Sequence, residues 1–295
     1  MSMSAPTSHL FAAPRESFRR VRHIAGNTFR EASRQKFFAF VVVLASALAL
    51  SGLFLRVFSF GMSELRFVAD FGFGGIFLFG SILGIVMTAQ LFFAELDNRT
   101  VLTLLARPVR RWEFIAGKFF GMWLLLGVFV AATGGVLAAL LQTRSLELAS
   151  LAAETGAPAP WFSAGGLGVF LVLQWVRLGV VAALTLFVCA FARSFLYAVV
   201  VSALAVLVCQ LRGFGALATT STGGATGDAP SLPLRLAGNA LVLVPDLQVF
   251  DLGVPLALEP AGVAGEVLRS AALSGLVFTA APLALAAWIF SDREV

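Results

Sequence analysis

Apolar and polar positions divide the chain into six long apolar runs, separated by segments that hold nearly all of its charge. The runs are 37–60, broken by Arg56 near its end; 71–94; 119–141; 167–191, which contains Gln174 and Arg177; 195–211; and 270–290, which contains Pro282. A bilayer core of about 30 Å needs about 20 residues of helix, and every run meets or approaches that length. None shows the in–out alternation of a membrane barrel strand. The pattern predicts an all-α integral membrane protein with a six-helix transmembrane domain over 37–290, and Pro282 predicts a kink in the last helix.

The leader, residues 1–36, has a different period. Phe18, Val21, Ala25, Phe29 and Ala32 fall on one helical face, with Arg19, Arg30 and Arg34 away from it. This predicts an amphipathic helix lying in the membrane interface. Gly26-Asn27 is a candidate interruption, after which Thr28-x-x-Glu31 restarts the helix as a capping box. The first apolar run begins too far along the chain for a cleaved signal peptide.

Composition sharpens the class. The chain is 59% hydrophobic and 13% charged, against about 45–50% and about 25% in soluble domains, which excludes a soluble enzyme and a disordered chain. The net charge of +5 is a matter of placement. With the N-terminus inside, segments 1–36, 95–118, 192–194 and 291–295 hold 14 of the 21 Lys and Arg. That bias predicts a multi-pass membrane protein with both termini cytoplasmic. The basic segments then meet anionic membrane lipid, and no nucleic-acid partner is required. Cys189 and Cys209 both lie in apolar runs, without the spacing of a disulfide framework or a zinc site.

The six runs contain no Asp, Glu or His. That removes the usual ligands of ion-coupled carriers, intramembrane proteases and haem proteins. No phosphate-binding glycine loop with its GK[ST] ending is present. No catalytic, metal or cofactor residues are predicted. Arg177 is the single charge at membrane depth, read either as a ligand contact in the bundle or as a snorkelling side chain. Gln90, Gln174 and Gln210 are candidates to bridge helices. Gly80 with Gly84, and Gly117 with Gly121, are small-xxx-small pairs that let helices approach closely.

The most informative stretch is 95–118, between the second and third runs. Arg99 to Arg107 predicts a short helix with Leu104 and Leu105 facing membrane or partner, stopped at Pro108. Arg110, Arg111 and Lys118 sit at headgroup depth, with Trp112 in the aromatic belt. A hairpin between helices needs only about 2–8 residues. The extra length and mixed charge are those of a docking element for a cytoplasmic partner.

Arg99–Gly121, RTVLTLLARPVRRWEFIAGKFFG, preceded by Glu95, resembles the signature of ABC transporter permeases with the type-2 exporter fold. Thr100, Leu104, Leu105, Pro108, Val109, Arg111, Gly117 and Lys118 match it in order. The wording is most similar to permeases associated with multicopper-enzyme maturation. Val244-Pro-Asp-Leu-Gln-Val-Phe-Asp251 resembles a Leu-Pro-x-Leu-x-x-Phe segment of such permeases, with Val244 in place of Leu. The ending Phe290-Ser-Asp-Arg-Glu resembles their charged tail. The resemblance implies a cytoplasmic coupling helix, a second permease copy as homodimer or paralogue, and separate ABC ATPase subunits that bind ATP and magnesium. It implies that Glu95, Arg99, Thr100, Leu104, Leu105, Arg107, Pro108, Arg110 and Arg111 form the ATPase-coupling surface, and that the subunit belongs to an exporter. The competing reading is a non-transport membrane scaffold or assembly factor with a cytoplasmic partner.

On the opposite side, 142–166 predicts a loop with Trp161 and Phe162 at its membrane edge. The longer 212–269 segment predicts a flexible first part, Gly213–Pro233, and a short apolar element, Leu234–Val244, that ends at Pro245.

Overall fold

A computed structural model describes residues 14–55, 64–97, 111–156, 160–225 and 245–292. Among them there is no strand, and eight α-helices follow in order. These are α1 (Pro14–Ser33), α2 (Lys36–Leu55), α3 (Glu64–Asp97), α4 (Arg111–Thr155), α5 (Ala164–Phe191), α6 (Phe195–Ala225), the single turn α7 (Gly253–Ala257) and α8 (Gly265–Asp292). The chain is an all-α integral membrane protein. α3, α4, α5, α6 and α8 are each long and apolar enough to cross a bilayer. α2 makes six as the apolar arm of a bent pair with α1, the two meeting at 66°.

The helices overrun the apolar runs that announce them. α4 has 45 residues, about 68 Å at 1.5 Å per residue, more than twice the bilayer core. The expected loop after residue 141 is helical as far as Thr155. Leu, Ala and Glu there are good helix formers, and Arg144 pairs with Glu147 one turn on. Loss of apolarity ends a span but need not end a helix. α6 likewise continues to Ala225, through the first part of the stretch read as flexible. α8 runs as one helix through Pro282. α1 is not interrupted at Gly26-Asn27 and makes no second start at Thr28.

α5 is central, packing against α3, α4, α6, α7 and α8. α3 and α5 are the most enclosed, whereas α6 and α8 show most of their apolar surface outward. The bundle therefore has two ends. At the α1 end lie the last turns of α3 and the first turns of α4. At the far end lie α7, the start of α5 and the start of α8. The Leu234–Val244 element falls outside the described residues.

Candidate functional site

At the α1 end, α1 lies along the first turns of α4 because that surface has no side chains in the way. A Cβ at Gly117 would stand 2.6 Å from Ile24, and one at Gly121 would stand 2.7 Å from both Thr28 and the Ala25 carbonyl oxygen. This close pair thus receives the leader helix. The buried side of α1 runs through Ser17, Thr28 and Ala32, while Phe18 points outward and is 71% exposed. Of the expected stripe Phe18, Val21, Ala25, Phe29 and Ala32, Ala32 is buried and Phe29 packs on the core, but the buried face is turned away from Phe18 because the glycine groove accepts Ile24 and Thr28.

Charges close this contact. Lys118 is 1% exposed, and its Nζ lies 2.6 Å from Glu95 Oε1 at the end of α3. The same ammonium donates to the Leu91 carbonyl at 3.1 Å. Glu113, on α4 and fully buried, faces Arg20 of α1 at 3.7 Å. Two ion pairs therefore join three helices, and a buried pair that loses one member leaves a costly charge behind. The first turns of α4 are tied to α1 and to the last turn of α3, and residues 98–110 connect that last turn of α3 to the start of α4.

Deeper in the bundle, two tryptophans knit α4 to α5. Trp123 Nε1 donates to the Trp175 carbonyl at 3.2 Å, and Trp175 Nε1 donates to the Trp123 carbonyl at 2.7 Å. The rings stack with centroids 4.3 Å apart. Each indole lies over a glycine one turn on in the opposing helix, Trp175 over Gly127 and Trp123 over Gly179. Residues 123 and 175 each begin a Trp-x-x-x-Gly pattern, a signal that was available in the sequence.

Toward the far end, Arg177 is 2% exposed. Its guanidinium lies 3.7 Å from the Phe77 ring centre and donates through Nη2 to Gln210 Oε1 at 2.9 Å. It is held inside the bundle and does not snorkel. Gln174 is buried one turn away, whereas Gln90 lies on the exposed face of α3. Gly80 meets Leu178 and Phe129 closely, and Gly84 lies at ordinary contact distance from Leu126 and Val181. The 245–252 segment covers this end. Leu247 and Phe250 are buried, and Gln248 Nε2 donates to the Gln210 carbonyl at 3.0 Å.

The described residues thus form a bundle of apolar helices with an amphipathic leader clamped to one end. Residues 12–295 match the family described as ABC-2 family transporter protein. The chain belongs to that family. This ABC-2 protein is accordingly a multi-pass membrane permease subunit of an ABC transporter. No curated protein matches it. In the permease, Arg99, Thr100, Leu104, Leu105, Arg107, Pro108 and Arg110 lie outside the described residues. Arg111 begins α4, and Glu95 engages Lys118 through one carboxylate oxygen. Sequence reasoning passed over Arg20 and Glu113, because each reads as an ordinary charge in a basic segment. Only the packing of α1 on α4 brings them together.

Proposed function

We propose that this permease is the membrane half of an ATP-driven exporter in the bacterial inner membrane, with both termini and the 98–110 segment on the cytoplasmic side. Separate ABC ATPase subunits bind ATP and magnesium, and a second permease copy completes the membrane unit. The ATPases dock on Arg99–Arg111, where the positive charge supplies electrostatic orientation. The wording of that stretch favours a role alongside multicopper-enzyme maturation.

The observation that carries the reading is the ion-paired block at the α1 end. Force applied to residues 98–110 meets α3 and α4 where Lys118 binds Glu95, and meets α1 through Arg20 and Glu113. Three helices then move as one body, as an inert receiver of an external power stroke requires.

The test is co-purification of the full-length chain with its ATPase, followed by transport in vesicles. Arg107→Glu with Arg111→Glu is expected to abolish association. Lys118→Met is expected to preserve association but lower the transport obtained per ATP hydrolysed. ATPase binding that survives the double charge reversal overturns the docking assignment. ATPase binding with no ATP-dependent transport of any solute favours the scaffold reading.

A further inference from the structure

Hydroxyl groups on apolar helices normally satisfy themselves by donating to a carbonyl one turn back. Ser51, Thr133, Thr185, Ser274 and Thr279 all do so here. Ser81 and Thr88 of α3 and Ser202 of α6 do not. Each is buried, and its hydroxyl has no hydrogen-bond partner among the described residues. Gln174 Oε1 and Arg177 Nε, on α5, are buried and unpartnered in the same way.

These five atoms belong to three helices that meet in one seam. Phe77 of α3 touches Arg177 of α5, and Arg177 binds Gln210 of α6. Ile85, Val181, Val206, Cys209 and Leu247 form a single buried cluster between the same helices. Ser81 and Thr88 follow Phe77 at helical spacing, and Ser202 falls between Val199 and Val206 on the α6 face that joins the cluster.

The helix pairings fix the levels. Gly80 meets Leu178 and Gly84 meets Val181, so α3 and α5 run parallel and Thr88 stands level with Thr185. Arg177 faces Gln210 across the antiparallel α5–α6 pair, which places Ser202 at that level too. The order from the far end is Gln174; then Arg177, Gln210 and Ser81; then an apolar ring of Ile85, Val181 and Val206; then Thr88 and Ser202. From Gln174 to the Thr88 level is about 16 Å, half of a bilayer core of about 30 Å.

An unpartnered polar atom in a hydrocarbon surround is expensive, and a row of five needs partners that packing does not provide. We propose that the α3–α5–α6 seam is a hydrated passage within a single chain, taking water and a small solute that presents hydrogen-bond acceptors. Arg177 and the three hydroxyls supply the donors, and Gln174 Oε1 takes a hydrogen bond in return. The Ile85–Val181–Val206 ring is its constriction. Leu247 is its cover at the far end, held over the seam by the bond from Gln248 to Gln210. The inference does not depend on an ATPase partner, so the two readings fail separately.

The test is thiol modification of the full-length chain in vesicles of phosphatidylethanolamine and phosphatidylglycerol, using 2-sulfonatoethyl methanethiosulfonate. Only a thiolate reacts, and a thiol in contact with lipid alone stays protonated. In a background with Cys189 and Cys209 replaced by alanine, Ser81→Cys is expected to react about tenfold faster than Ile82→Cys, its outward-facing neighbour. Leu247→Ala is expected to raise the Ser81→Cys rate further and leave Ile82→Cys unchanged. The wild-type chain supplies a reading free of substitutions: Cys209, in the seam cluster, reacts ahead of Cys189, which lies in the main core. Equal rates for Ser81→Cys and Ile82→Cys, with and without Leu247→Ala, overturn the proposal. So does a Cys189 rate matching that of Cys209.

Discussion

The tryptophan pair shows how a single residue type solves a problem set by the bilayer. An indole N–H within apolar helices has to find an acceptor, and here each ring reaches the backbone of the opposing helix because a glycine clears the way. Trp123→Phe is expected to cost about 1 kcal/mol, the usual worth of an interhelical hydrogen bond in a membrane, read by unfolding in mixed detergent micelles. Gly179→Ala should cost more, about 2 kcal/mol, because the added methyl overpacks the Trp123 ring. Lys118 sets a different problem. Lys118→Met leaves Glu95 without its ammonium and is expected to cost about 3 kcal/mol, whereas Lys118→Met with Glu95→Leu recovers most of that loss. If the double variant is no more stable than the single one, the ion pair is not what holds α3 to α4.

At the scale of elements, α1 is retained by shape as well as by charge. Gly117→Val fills the groove that Ile24 enters and is expected to lift α1 from α4, read as faster proteolysis within 14–33 in otherwise intact protein. At the far end, a Cβ at Gly166 would run into the Leu256 carbonyl, so Gly166→Ala should release α7 from the start of α5. Increased hydrogen exchange over 253–258 with little change in α5 would show it. The elements differ in how far the sequence discloses them. The apolar runs disclose the spans, because about 20 residues without charge have little else to do than cross a bilayer. They do not disclose where α4 stops, since Gln142–Thr155 is polar yet favours helix. Nor do they show which side of α1 is buried. That side keeps Phe29 and Ala32 of the leader's own stripe but is turned toward Ile24 and Thr28 by the glycines of α4, nearly a hundred residues away. Arg177 is visible in the sequence as a charge at depth, but its choice between Phe77 and the membrane surface depends on α3 and α6, which only the packed bundle supplies.

For the whole molecule, burial is uneven, with α3 and α5 enclosed and α6 and α8 largely exposed. An apolar cleft of about 390 Å³ lies between α4 and α5, lined by Leu124, Val128, Leu171 and Trp175 among others. The ion-paired block sits at one end of the bundle and the Leu247 cover at the other, with α4 the longest helix among those described, at about 68 Å more than twice a bilayer core of about 30 Å. That length has a mechanical consequence. A rod so long, gripped near one tip by Lys118 and Glu113, multiplies small rotations: a tilt of about 5° about Lys118 displaces Thr155 by about 5 Å. A nudge too slight to disturb packing on one side of the bilayer thus arrives in the water on the other as a displacement wider than a sugar ring.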